Sequence, residues 1–165
     1  VIDEGGLAKL CDFGLARRPS ASMTLGGGTP IFMPPEQLVS GDGAAAGGAS
    51  LDGDAASAAL VGGAPARGVY DGMAWDVYSL AVTFVAMWAP GEALYPNYPL
   101  LQLVAAIVHG LRPPWPPLMP SLLRELIADM WVCEAALRPS ARAVERRLHD
   151  DEMVSEVVYA SGVEV

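Results

Sequence analysis

The stretch Asp76-Val77-Tyr78-Ser79-Leu80-Ala81-Val82-Thr83-Phe84-Val85-Ala86-Met87-Trp88 limits what this chain can fold into more than any other. Past Ser79 it is apolar on nearly every side, the pattern of a helix surrounded by protein. Asp76 suits the N-cap, where a carboxylate accepts hydrogen bonds from the free N–H groups of the first turn. Trp75 and Leu80 take the two positions of a hydrophobic staple, and Ala89-Pro90-Gly91 ends the helix. At about 1.5 Å per residue the segment spans roughly 20 Å. That crosses a small domain and falls short of a membrane. A rod of this kind needs other elements packed around it, and the rest of the sequence supplies them.

After the rod, Leu100, Leu101, Leu103, Val104, Ile107 and Val108 recur at helical spacing, with Gly110 as the stop. Arg112-Pro113-Pro114-Trp115-Pro116-Pro117 cannot be helix; it reads as a rigid connector, with an SH3-type proline ligand as the alternative. His109 is a helix-end residue. Leu122, Leu123, Leu126, Ile127, Met130 and Trp131 form the next helical face behind Ser121 as N-cap. Ser140 caps a last helix with Ala141, Val144 and Leu148 inward. Before the rod, Val1-Ile2, the turn Asp3-Glu4-Gly5-Gly6 and Leu7-Ala8-Lys9-Leu10-Cys11 read as a β-hairpin. Residues 15–30 form a long open loop with hydroxyls at Ser20, Ser22 and Thr24, closed by Pro34-Pro35-Glu36. Residues 40–68 are almost entirely Ala, Gly and Ser and have no aromatic. Such a segment cannot bury enough apolar surface to offset its conformational entropy, so it reads as a flexible low-complexity insertion.

A chain of 165 residues suffices for one domain with a real core. Its hydrophobic content of 52% excludes wholesale disorder. A net charge of −9 disfavours nucleic acid as a partner. Much of that acidity, at Asp150, Asp151, Glu152, Glu156 and Glu164, marks residues 150–165 as a solvated tail. Cys11 and Cys133 fit neither a metal spacing nor a disulfide framework, and read as small buried hydrophobes in a reducing, cytoplasmic compartment. No signal peptide or membrane-length apolar run is visible. The chain begins with Val1, as if entered in mid-strand, and reads as a fragment.

Four motifs in order carry a family resemblance: Asp12-Phe13-Gly14 at a strand end, Pro34-Pro35-Glu36 a loop later, Asp76 to Val82 opening the central helix, and Leu137-Arg138-Pro139-Ser140. As a set they resemble the C-terminal lobe of the eukaryotic protein kinases, whose Asp-Phe-Gly and Ala-Pro-Glu motifs bracket the activation segment. Gly28-Thr29-Pro30-Ile31-Phe32-Met33 and Gly110-Leu111-Arg112-Pro113-Pro114 look most like serine/threonine kinases of the tyrosine-kinase-like group. The resemblance covers residues 1–149 apart from the insertion. It implies a mainly α fold: a kinase-like C-lobe with an N-terminal hairpin, a long activation loop and a buried central helix.

The resemblance also implies roles. Asp12 is the Mg²⁺ ligand, and Asp12, Phe13 and Gly14 lie at the ATP site, Phe13 packing as a hydrophobic spine residue. Thr29 contacts the catalytic aspartate in the loop that holds the protein substrate. Glu36 and Arg138 form a structural ion pair, Asp76 caps the central helix and holds the catalytic loop, and Ser20, Ser22 and Thr24 are candidate phosphosites. The chemistry behind Asp12 stands on its own, since phosphoryl transfer needs cations across the phosphates and Mg²⁺ takes hard oxygen ligands. Departures are Pro34 for alanine, Tyr78 for tryptophan and Ala81 for glycine. The glycine-rich loop, the phosphate-pairing lysine and its glutamate, and the catalytic-loop Asp and Asn are not among these residues. The expectation is therefore a piece of an ATP-dependent serine/threonine kinase, itself inactive. The alternatives are a pseudokinase or docking module, and an alanine-rich helical interaction protein with fortuitous motifs.

Overall fold

The computed structural model describes residues 2–16, 29–39 and 72–162. The insertion at 40–68 and the candidate phosphosites Ser20, Ser22 and Thr24 lie outside the described residues. Among the described residues helix makes up 59% and strand almost none, so the fold they form is mainly α. The helices are α1 (Pro35–Val39), α2 (Gly72–Trp88), α3 (Leu100–Val108), α4 (Ser121–Met130), α5 (Ala141–Leu148) and α6 (Asp151–Ser161). Short 3₁₀ turns occupy Phe13–Leu15, Pro30–Phe32 and Ala135–Leu137.

The expected hairpin is reduced to its turn. Asp3 Oδ1 accepts from the N–H groups of Gly5 and Leu7 at 3.0 and 2.9 Å. Gly6 takes the positive φ, 81°, that the reversal demands, a conformation open to glycine at no steric cost. Beyond it only an isolated antiparallel bridge forms among the described residues, between Ile2 and Ala8. Its arms are short and their apolar residues Ile2, Leu7 and Leu10 stand in solvent. A two-stranded ribbon with no face to bury is marginal.

The central helix is longer than its apolar run. It begins at Gly72, so Asp76 sits in the second turn and is not the N-cap, and the staple of Trp75 with Leu80 has no helix start to close. Ala74, Val77, Tyr78, Ala81, Val82 and Val85 are buried, at the i, i+3, i+4 spacing of one face. Met73, Leu80 and Met87 line the opposite face in water, with Asp76 beside them partly covered, so the rod is enclosed on one side and open on the other.

The buried face of α2 packs on α4 around Leu126, Ile127 and Met130, with Met119, Trp131, Val144 and Met153 completing the cluster. Fully burying such a side chain contributes about 1.5–3 kcal/mol. A second cluster joins Met33 and Leu38 to Tyr95 and to Leu103 and Ile107 of α3. The connector at 111–116 has no regular secondary structure, and Trp115 packs obliquely on Trp131, 4.8 Å between ring centres. Ser140 caps α5 as the sequence predicts, accepting from Ala143 N–H at 3.3 Å. Ser121 does not cap α4; Pro120 holds the cap position and Ser121 is the first helical residue.

Residues 150–161 are not a solvated tail. Asp150 caps α6 by accepting from Glu152 N–H at 3.1 Å, Met153 is buried in the main cluster, and the Glu156 carboxylate reaches the start of α4. The acidic residues are the cap and polar face of an amphipathic helix, which a charge count does not distinguish from a tail. The cysteines also depart from expectation: both are exposed free thiols. Cys11 lies on the exposed N-terminal segment, and Cys133 on the turn after α4.

Candidate functional site

The Asp12-Phe13-Gly14 segment forms a tight surface turn. Asp12 takes the left-handed conformation, with φ 61° and ψ 64°, which aspartate tolerates better than most residues. The 3₁₀ turn Phe13–Leu15 follows, closed by Ala16 N–H to the Phe13 carbonyl at 3.0 Å. A Cβ on Gly14 would stand 3.3 Å from Asp12 Oδ1, so glycine relieves crowding there. Asp12 is exposed. Phe13 is 67% exposed and belongs to neither apolar cluster, which corrects the expectation that it packs as a spine residue. The described residues bring no apolar surface against it.

Thr29 is exposed, and its backbone carbonyl accepts from Phe32 N–H at 3.0 Å to close the 3₁₀ turn Pro30–Phe32. No hydrogen bond among the described residues joins it to Asp12. Among the described residues no group of three His, Cys, Asp or Glu side chains is placed to hold a metal ion. One exposed carboxylate does not meet the octahedral oxygen demand of Mg²⁺, so these residues do not by themselves fit Mg²⁺ or the phosphates of ATP.

The residues that do converge are those around Arg138. Its side chain is completely buried, and all five N–H donors of the guanidinium are used. Nη1 and Nη2 grip the two carboxylate oxygens of Glu36 at 2.6 and 2.9 Å, the bidentate arrangement that arginine favours. The remaining donors serve the carbonyls of Ala74 (3.1 Å), Val132 (3.0 Å) and Cys133 (3.2 Å). One side chain thus ties α1, α2 and the turn after α4 together. Glu36 is positioned by Pro34, which is buried, and by Pro35 in the first turn of α1. There a missing N–H costs nothing.

Tyr78 of α2 extends this cluster. Its ring lies between two guanidinium groups, those of Arg112 and Arg138, each 5.1 Å from the ring centre, within reach of the attraction between a cation and an aromatic face. Burial, partly offset by those two cations, pushes its phenol up to about 12, so it stays neutral at physiological pH. Its hydroxyl and that of Tyr95 are both buried without a hydrogen-bond partner among the described residues, and burial raises Tyr95 as well. Arg112 serves the carbonyls of Trp131, Ile107 and Leu111 at 3.0, 3.2 and 2.8 Å and donates to Cys133 Sγ at 3.3 Å. A second tie runs from Ser79 Oγ to the Phe32 carbonyl at 2.9 Å, fastening the 30–32 turn to α2.

Sequence reasoning brought Glu36 and Arg138 together correctly as a contact and did not assign Tyr78, Ser79 or Arg112 to it. One signal was available for Arg112: a cation between the end of an apolar helix and two prolines lies close to backbone carbonyls that can accept from it. Asp76 neither caps α2 nor joins the cluster; partial burial raises its carboxyl. No family model and no curated protein matches the chain. No helix among the described residues is long and apolar enough to cross a membrane.

Proposed function

We propose that this chain is the helical C-lobe of a protein kinase domain, from a parent that transfers the ATP γ-phosphate to serine or threonine hydroxyls of protein substrates. The observation that carries the reading is the Glu36–Arg138 pair. It joins two of the four motifs across 102 positions of sequence, with bidentate geometry and a fully buried cation. Fortuitous motifs carry no reason to meet. The Ser79–Phe32 bond supports the same reading, because it fastens the end of the proposed activation segment to the central helix.

Within this reading the described residues are scaffold. Glu36, Arg138, Tyr78 and Ser79 hold the close of the activation segment against α2, and the parent's chemistry draws on Asp12 together with groups that are not among these 165 residues. When bound, ATP with Mg²⁺ supplies the phosphoryl group and the charge neutralisation. Asp12, in the tight turn before Gly14, would offer one carboxylate toward it, the remaining ligands coming from groups outside these residues. Thr29, on the exposed edge of the anchored 30–32 turn, faces the protein substrate.

The chain alone should transfer no phosphate, because positioning and charge stabilisation are shared among several groups. The experiment is an assay with ATP, Mg²⁺ and generic protein substrates, first on the chain and then on the protein with its upstream segment restored. Transfer to serine and threonine only in the restored protein is expected. Silence in both would favour the pseudokinase or docking role, to which the exposed Asp12 and Phe13 also lend themselves.

A further inference from the structure

The start of α4 already holds an anion, the Glu156 carboxylate of α6. Oε2 accepts from Leu122 N–H at 2.8 Å, and Oε1 accepts from Ser121 Oγ. Free N–H groups and the positive end of the helix dipole favour a negative charge there. The Ser121 bond first, and the Leu122 N–H second, hold the Glu156 carboxyl below the usual carboxylate range. The rest of α6 is held by packing on α4 and α5, with Met153 its buried residue and Val157 partly covered. The groove between the two helices is lined by Ser121, Leu122, Glu152, Ser155, Glu156 and Tyr159. Glu156 bonds the exposed Ser121 hydroxyl, and Glu152, one turn before it on α6, lines the same groove.

We propose that the Ser121–Glu156 contact is a phosphorylation-responsive latch, and that a phosphoryl group on Ser121 releases α6 from the body of the protein. The step is transfer from a nucleoside triphosphate by a protein kinase. A bond forms between Ser121 Oγ and the γ-phosphorus, the γ-phosphorus–oxygen bond of the triphosphate breaks, the hydroxyl proton passes to a base, and the nucleoside diphosphate leaves. The product carries nearly two negative charges where a neutral donor stood. It removes the hydrogen bond to Glu156, claims the N–H groups at the start of α4, and repels both Glu152 and Glu156. A cation is at hand on the same face, since Arg124 lies three residues on. Arg124 Nη2 bonds the Pro116 and Pro117 carbonyls at 3.2 Å each, and its Nε has no partner among the described residues. The anion at α4 is thus exchanged, and α6 is left to its apolar contacts through Met153 and Val157. This inference does not depend on the kinase reading.

The test is hydrogen exchange on the full chain with phosphoserine incorporated at position 121 during synthesis. Amides of 151–161 should exchange about tenfold faster or more, while those of 124–130 and of α2 keep their protection. In a Glu152→Gln, Glu156→Gln background the same phosphoserine should accelerate exchange less than about twofold. Unchanged protection of α6 would overturn the proposal. So would loss of protection spread across α2 and α4, which is general unfolding, or an acceleration that persists in the neutral background, which makes repulsion irrelevant.

Discussion

Breaking the Glu36–Arg138 pair tests the architecture residue by residue. Glu36 is 24% exposed at its side chain and Arg138 not at all, so neither charge is hydrated well enough to stand alone. Removing one partner of a buried pair costs about 3–5 kcal/mol. Glu36→Gln belongs at the lower end, about 3 kcal/mol, because the amide keeps an acceptor for the guanidinium, which also retains three carbonyls. Arg138→Met belongs at the upper end, about 5 kcal/mol, because it removes the bidentate cation from Glu36 and the guanidinium donors from three carbonyls together. Once the arginine is gone, losing the carboxylate relieves more than it harms. The double mutant should therefore fall near Arg138→Met alone, a coupling of about 3 kcal/mol. Urea unfolding followed by tryptophan fluorescence measures all three, and Arg138→Lys adds a variant that keeps the charge but loses the fork. Domains of this size have about 5–15 kcal/mol in total, so the arginine variants require low temperature or stabilising osmolyte. Costs below about 1 kcal/mol with simple additivity would describe an ordinary surface pair and refute the reasoning.

Other outcomes follow from the same geometry. Tyr78→Phe should leave stability within about 1 kcal/mol of the parent in thermal unfolding, because the hydroxyl it removes makes no hydrogen bond among the described residues. Tyr78→Ala, which empties the space between two guanidinium groups, should cost about 3–5 kcal/mol. Ser79→Ala removes the bond to the Phe32 carbonyl, worth about 1 kcal/mol, and should raise proteolytic cutting near residues 29–33 without a comparable loss of global stability. Glu156 is depressed in the folded state, so its contribution is full above the unfolded value near 4.5 and is lost as pH falls through the lower folded value. Glu156→Gln should flatten that part of the acid unfolding curve. Deleting residues 40–68 down to a short turn should leave unfolding cooperative, since loop length costs only about 0.6 kcal/mol per doubling.

The elements legible in the sequence were those whose signal is local. The α4 face, the stop at Gly110 and the Ser140 cap follow from spacing and side-chain chemistry within one helix, whereas Leu100, Leu101 and Ala141, read as inward, are exposed. The start of α2 was not, because Asp76 is as good a cap as any residue near it and nothing local announces that Gly72-Met73-Ala74-Trp75 continues the helix. The hairpin failed for want of a surface beneath it, a tertiary fact. The acidic tail failed because an amphipathic helix with one buried methionine looks like a charge run. At the candidate site, the Glu36–Arg138 contact came from the order of motifs, whereas Tyr78 and Arg112 join it only through packing of α2 against the connector. Asp12 and Thr29 were legible as residue types but not as a constellation, since nothing in the described residues draws them together.

The proposed kinase role makes Asp12 a working part of a phosphoryl-transfer site completed by groups outside these 165 residues. Its most direct test is the rate of phosphate transfer by the restored protein with and without Asp12→Asn, a substitution that keeps the size of the side chain and removes its charge. Mg²⁺-dependent transfer to serine and threonine is expected, falling by about 10³-fold in the variant. Stability should be unchanged, because the exposed carboxylate makes no cap hydrogen bond in its turn. A restored protein that transfers phosphate equally well with asparagine at position 12 would contradict it.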